Sequence, residues 1–193
     1  MVSDFTDRLF FWLYIAMLWI FVLSLNDARR FMELFDKYKQ VKAFVFAIDG
    51  VCTDGRVWLS ERGEQWCVLH SRDRYALQRA ARHYPIALIG NGPSPGVVPW
   101  MEGLAITDIF LHRDDKTSVL RDWMSGKGID AAHVLCMGSD VPDMAAMALA
   151  GLGVCPADAV EDVKAAAAYI SHCNGGSGAV RDVIEKVMKL QNK

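Results

Sequence analysis

Hydrophobic and polar positions divide the chain into two unequal parts. From Leu9 to Asn26 no residue is charged, and nearly all 18 are large and apolar (LFFWLYIAMLWIFVLSLN). As a helix this run would rise ~27 Å, close to the hydrocarbon thickness of a bilayer. It is apolar all round, unlike an amphipathic surface helix. Asp4, Asp7 and only Arg8 precede it, and no small-x-small cleavage site follows, so a cleaved signal peptide fits less well. Cations follow at Arg29, Arg30, Lys37, Lys39 and Lys42, an asymmetry that leaves the rest of the chain in the cytoplasm, anchored at the inner membrane. Two other readings stay open: a helix buried in an oligomer interface, or an extension from a misassigned start.

Residues 26–40 place Phe31, Leu34, Phe35 and Tyr38 on one face at helical spacing, which predicts a short amphipathic linker helix. Residues 1–40 thus form an N-terminal apolar segment with its linker, and residues 41–193 the body. The body alternates short apolar runs with helical patterns. Buried strands are predicted at residues 43–48, 85–89, 106–111, 134–137 and 153–155. Helices are predicted at residues 73–83, 96–102, 116–127, 142–150, 160–168 and 179–190, with a hairpin over residues 57–69 turning at 61–64. This alternation calls for an α/β fold with a doubly wound, Rossmann-type parallel sheet. Residues 90–95 (GNGPSP) read as a loop, and 174–178 (NGGSG) as the most flexible stretch.

Composition sharpens this picture. Of 193 residues, Lys and Arg number 21 against 23 Asp and Glu, a net charge of −2 that argues against a nucleic-acid partner. Five cysteines form no CxxC pair, which reads as reduced, buried thiols in a reducing compartment.

In a doubly wound sheet, ligands bind at the C-terminal ends of the strands. Asp49 and Gly50 follow the first predicted strand, and Gly90, Asn91 and Gly92 the second. Lys116 opens the helix after the third, and Ser139, Asp140 and Asp143 follow the fourth. Carboxylates, a lysine and glycine-rich loops converging on one edge suit a phosphate and a divalent metal. The same residues equally read as turn caps (Asp49, Asp140) and a solvated helix start (Lys116).

The ordered set IDGVCTDG at 48–55, SRD at 71–73, DDK at 114–116, GSDVPD at 138–143 and NGGSGAVRD at 174–182 resembles one family. It is similar to the capless haloacid dehalogenase-superfamily phosphatases that act on 3-deoxy-manno-octulosonate 8-phosphate. It also resembles the C-terminal module of acylneuraminate cytidylyltransferases. The resemblance spans roughly residues 41–187. It implies a HAD-like fold, a Mg²⁺-dependent phosphomonoesterase, a sugar-acid phosphate ligand and a homotetramer. In that chemistry the first carboxylate of a D-x-D pair attacks phosphorus and the second acts as acid and base.

Mapped onto this chain, Asp49 matches the acid/base and Lys116 the lysine that neutralises phosphate charge. Asp49, Asp140 and Asp143 remain for the metal, and Gly50, Asn91, Gly92, Arg72 and Asp73 for the substrate. Five positions depart. Ala47 stands at the nucleophile, Gly90 at the phosphate-binding Ser/Thr, Ser139 at a metal-binding carboxylate, and Ser177 at an arginine thought to reach a neighbouring subunit's substrate. Arg74 replaces a glycine and is expected to intrude on the site. Thr53 and Ser94 are nucleophile candidates by sequence proximity alone. The resemblance with these departures implies a silent phosphatase, a pseudoenzyme. An active enzyme of unusual arrangement and a membrane-anchored interaction module are the alternatives.

Overall fold

The computed structural model describes residues 28–92, 96–113 and 115–193. The chain divides after Asp36, and Lys37–Lys193 is the larger, compact unit. Residues 28–40 are helical (α1). Among the described residues no helix is long and apolar enough to cross a membrane. The apolar run at 9–26, and with it the anchor reading, lies outside the described residues, as do Ser94 and Asp114.

The larger unit is a six-stranded sheet ordered β5-β4-β1-β6-β7-β8. Its strands are β1 (Ala43–Ala47), β4 (Ile86–Ile89), β5 (Asp108–Phe110), β6 (Val134–Met137), β7 (Leu152–Cys155) and β8 (Tyr169–Ile170), and every pairing is parallel. β1 lies at the centre and is buried along its whole length, which is why it reads as one continuous apolar run. A separate antiparallel pair, β2 (Trp58–Leu59) and β3 (Gln65–Trp66), forms the hairpin.

Side chains alternate across the sheet. One face carries Ala43, Val45, Ala87, Ile89, Val134 and Cys136. They share a core with Leu120, Trp123 and Met124 of α4 (Lys116–Lys127), Ala146 and Met147 of α5 (Met144–Leu149), and Val163 of α6 (Glu161–Ala166). Phe44, Phe46, Leu88 and Leu135 point to the other face and are also fully buried. The remaining helices of this unit are α2 (Ser71–Ala80), α3 (Val97–Glu102) and α7 (Ala179–Leu190), with α2 and α7 packed together.

The connections determine where a ligand can bind. The chain runs from β1 outward to β4 and β5, then returns through α4 to β6 on the opposite side of β1. The topological switch therefore lies between β1 and β6, where loops leaving their C-terminal ends diverge and open a crevice. Asp49 and Ser139 lie on those two loops.

Five predicted strands and six predicted helices are present, with ends moved by a few residues. The third strand is shorter than predicted, Asp108–Phe110 rather than 106–111, and β8 was not predicted. The segment predicted as one helix over 142–150 begins as a single 3-10 turn, Val141–Asp143, before α5. The glycines at 174–178 are packed rather than loose. A Cβ at Gly175 would fall onto the Gly50 carbonyl, and one at Gly176 onto the Thr53–Asp54 backbone. All five cysteines are free; Cys67 and Cys173 are half-buried, whereas the thiols of Cys52, Cys136 and Cys155 are buried as expected. Burial raises their pKa values, that of Cys136 to about 12.

Asp182 ties the first turn of α7 to the edge strand. Its carboxylate accepts from Tyr169 Oη (2.8 Å), Ser171 Oγ (2.9 Å) and Lys186 Nζ. Burial works against its charge, but the bonds from Lys186, Tyr169 and Ser171 outweigh it and hold the carboxyl below the usual range. A carboxylate with a depressed folded-state pKa stabilises the fold above its unfolded value, and that stability disappears as pH falls through the folded value. Asp182→Asn should therefore destabilise the protein by about 1–3 kcal/mol at pH 7. The deficit against the parent should shrink below about pH 4, as read from urea unfolding at pH 7 and pH 3.

Candidate active site

The loop after β1 is a tight turn, Ile48–Cys52, closed by the Thr53 amide on the Ile48 carbonyl at 3.0 Å. Asp49 is extended (φ −75°, ψ 130°), and Gly50 takes φ 72°, a conformation that favours glycine. Thr53 knots the loop: its buried hydroxyl accepts from the Gly50 and Gly55 amides (3.3 and 3.2 Å) and donates to the Ile48 carbonyl (3.3 Å). A hydroxyl so occupied is not placed as a nucleophile. Its structural part could have been read from the short Thr-Asp-Gly turn signal. Behind the turn, Gly176 N–H donates to the Val51 carbonyl at 2.9 Å, so residues 174–178 brace it.

Ala47 is the last residue of β1 and is buried, presenting only a methyl group two positions before the exposed Asp49. Gly92 lies beside Asp49, since a Cβ there would sit 3.8 Å from Asp49 Oδ2. Gly90 packs against Ile48, where a Cβ would come within 3.0 Å of Cδ1. Asn91 is exposed on the same loop.

Lys116 is the first residue of α4, and Asp115 caps that helix by accepting from the Thr117 and Ser118 amides (3.1 and 3.0 Å). The cap aligns the helix start, and Lys116 Nζ donates to Asp143 Oδ1 at 2.5 Å. Asp143 is buried. Its Oδ2 accepts from the Ser139 and Asp140 amides at 2.8 and 3.1 Å. Asp140 is exposed, and its carboxylate caps the Val141 amide at 2.7 Å, forming a capping box with Asp143. Ser139 Oγ donates across the crevice to the Asp49 carbonyl at 3.1 Å.

Asp49, Gly50, Gly92 and Ser139 thus meet at the crevice, and the Lys116–Asp143 pair braces the Ser139–Asp140 backbone beside them. Arg72 and Asp73 are both expected at the substrate, and the structure engages Asp73 elsewhere. Arg72 is exposed. Asp73 is buried and caps α7 from a distance, accepting from Gly178 N (3.1 Å) and Arg181 N (2.8 Å). Both of its oxygens are thereby committed to holding the 174–178 segment. Burial raises its pKa, with the two amides and His70 opposing. Arg74 is exposed, and its guanidinium lies 5.8 Å from the centroid of the Trp100 ring. Ser177 is exposed on the glycine segment, its amide on the Asn174 carbonyl.

The donors present do not fit a divalent metal of this family. Mg²⁺ requires near-octahedral oxygen coordination, normally anchored by carboxylates. The Asp49 carbonyl is taken by Ser139, Asp143 by Lys116 and two amides, and Asp140 by its own cap. Asp140 spends one oxygen on its cap, and the Asp49 side chain has no donor among the described residues. Among the described residues no group of three or more His, Cys, Asp or Glu could hold a metal ion.

Comparison with known proteins agrees with the fold. The haloacid dehalogenase-like hydrolase family matches residues 97–184. A 3-deoxy-D-manno-octulosonate 8-phosphate phosphatase of Escherichia coli is 26% identical over 162 residues, 83% of this chain and 86% of that protein. The Moraxella catarrhalis enzyme of the same name, solved with magnesium, phosphate and KDO, superposes with a TM-score of 0.80 at 31% identity. The match covers 83% of this chain and 92% of that one. A haloacid dehalogenase superfamily (subfamily III A) hydrolase from Legionella pneumophila gives 0.83 at 29% identity, covering 88% and 93%. The chain belongs to the haloacid dehalogenase superfamily, within the family of 3-deoxy-D-manno-octulosonate 8-phosphate phosphatases.

The Lys116–Asp143 pair carries a test of its own. Its side chains are 11% and 5% exposed. Removing one partner of a buried pair leaves the other charge stranded, which costs about 3–5 kcal/mol. Lys116→Met should lower stability by about that amount, and Lys116→Met with Asp143→Asn should cost less than the sum of the single changes. A double-mutant cycle in chemical denaturation measures the coupling.

Proposed function

We propose that the chain is a non-hydrolysing member of its family, which acts by binding a sugar-acid phosphate, in sensing or assembly, rather than by turning it over. The observation that carries this reading is Ala47. At the end of β1, where the resemblance expects the carboxylate that attacks phosphorus, stands a buried methyl group that cannot form an acyl phosphate. Loss of a catalytic nucleophile alone lowers the rate on the order of 10⁴–10⁶-fold. Gly90 and Ser139 remove the phosphate-binding hydroxyl and a metal-binding carboxylate in addition. The class of ligand follows from the relatives: the Moraxella protein holds phosphate and KDO.

A second reading, an active Mg²⁺-dependent sugar-phosphate phosphatase, draws on Asp49, whose exposed carboxylate remains in register beside Gly92. Phosphate release from 3-deoxy-D-manno-octulosonate 8-phosphate by the full chain with Mg²⁺ separates the two. The expected result is no release above background, unchanged by Asp49→Asn. Turnover that Asp49→Asn abolishes would overturn the non-hydrolysing reading. Ala47→Asp with Ser139→Asp should raise the rate at least 10³-fold. Gly90→Ser should add less to that pair, because its Cβ must displace Ile48.

The homo-oligomer implied by the resemblance also belongs here. Its support is the hairpin, which presents Trp58 (64% exposed), Leu59 (71%) and Trp66 (62%). Exposed apolar groups clustered this way mark association surfaces. Trp58→Ser with Trp66→Ser should reduce the molar mass seen in sedimentation to that of a smaller assembly. An unchanged mass would exclude the hairpin as the contact.

A further inference from the structure

We infer that the Ser139 hydroxyl takes the place of a divalent cation in this chain, so that the two loops at the topological switch are joined without metal and the folded state is indifferent to Mg²⁺. This deepens the non-hydrolysing reading and rests on the same site.

The geometry of the crevice carries the inference. The loop after β1 presents a backbone carbonyl, Asp49 O, toward the loop after β6. A carboxylate at position 139 would set lone pairs against that carbonyl, a repulsion that a cation between them relieves. Serine reverses the polarity, because its hydroxyl brings its own proton. Ser139 Oγ donates to Asp49 O at 3.1 Å and closes the crevice directly. Gly50 makes the approach possible: with φ 72° and no side chain, it leaves vacant the volume into which a Cβ would project, directly onto Ser139 Oγ.

The remaining charge is also settled internally. Asp143, the buried carboxylate of the site, is neutralised by Lys116 and fully bonded. A site built around an ion leaves buried oxygens that only the ion satisfies. Here the buried side-chain polar atoms lacking a partner, among the described residues, are Tyr38 Oη and His70 Nδ1. Neither belongs to this crevice.

The test is thermal unfolding of the full-length protein with millimolar Mg²⁺ or with EDTA, beside calorimetric titration with Mg²⁺ alone. The parent should show the same Tm in both conditions and no saturable heat. Ser139→Ala should lower Tm by about 2–4 °C, the loss of one hydrogen bond, and stay indifferent to Mg²⁺. Ser139→Asp should be the least stable in EDTA and regain several degrees as Mg²⁺ is added, in proportion to occupancy.

A parent Tm that rises with Mg²⁺, or uptake of one ion per chain, would overturn the inference. So would a Ser139→Ala protein as stable as the parent. If Ser139→Asp does not fold in EDTA, the parent and Ser139→Ala measurements still decide. The outcome is independent of the activity assay: metal-free turnover would refute the non-hydrolysing reading alone, and Mg²⁺ binding without turnover would refute only this one.

Discussion

The Asp143 carboxylate binds together elements that the chain order keeps apart. Lys116 reaches it from α4, the helix that carries the chain from one side of β1 to the other, and the Ser139 and Asp140 amides reach it from the loop after β6. A buried carboxylate is tolerated only when its charge and lone pairs are both answered. Here one lysine answers the charge and three donors answer the lone pairs. Gly138 is part of the same constraint, since a Cβ at that position would fall onto Asp143. The frame of residues 138–143 is therefore set by the packing of one side chain, whatever chemistry the crevice performs.

The opposite wall is held in a comparable way by groups that never face a ligand. Thr53 knots the turn from inside, Gly175 and Gly176 press on it from behind, and Asp73 fixes the glycine segment by capping α7. None of these depends on what stands at positions 47, 90 or 139. Replacing side chains at those positions alters the lining of the crevice and leaves its supports intact. That separation explains how a fold with a TM-score of 0.80 against a phosphatase can coexist with a methyl at 47 and a hydroxyl at 139.

The sheet was legible in the sequence because its strands are buried on both faces and appear as short unbroken apolar runs such as Ala43–Ala47 and Val134–Met137. Strand β8 was not, because Tyr169–Ile170 is a two-residue edge strand that follows a run of alanines and carries no alternation. The glycines of 174–178 suggested freedom by composition, whereas in the fold they permit close approach, a property visible only once the Gly50 carbonyl is placed behind them. Asp73 was expected at the substrate by resemblance alone. Its partners, Gly178 and Arg181, lie more than a hundred residues further on, and no local pattern encodes a cap supplied from that distance. Placing Asp49, Lys116 and Ser139 at one edge needed only the strand ends, which is why the position of the site was legible and its internal bonding was not.

The substitutions at positions 47 and 139 are physically linked rather than two separate losses. Carboxylates clustered at a strand edge repel one another, and a cation relieves that repulsion while the cluster holds the cation. With a methyl at 47 the cluster is one charge poorer and holds an ion less well. A carboxylate left at 139 would then face the Asp49 carbonyl with nothing to mediate between them. A hydroxyl at 139 removes that conflict and restores the contact as a hydrogen bond. With alanine at 47, serine at 139 leaves the Asp49 carbonyl answered, and Lys116 balances the Asp143 carboxylate.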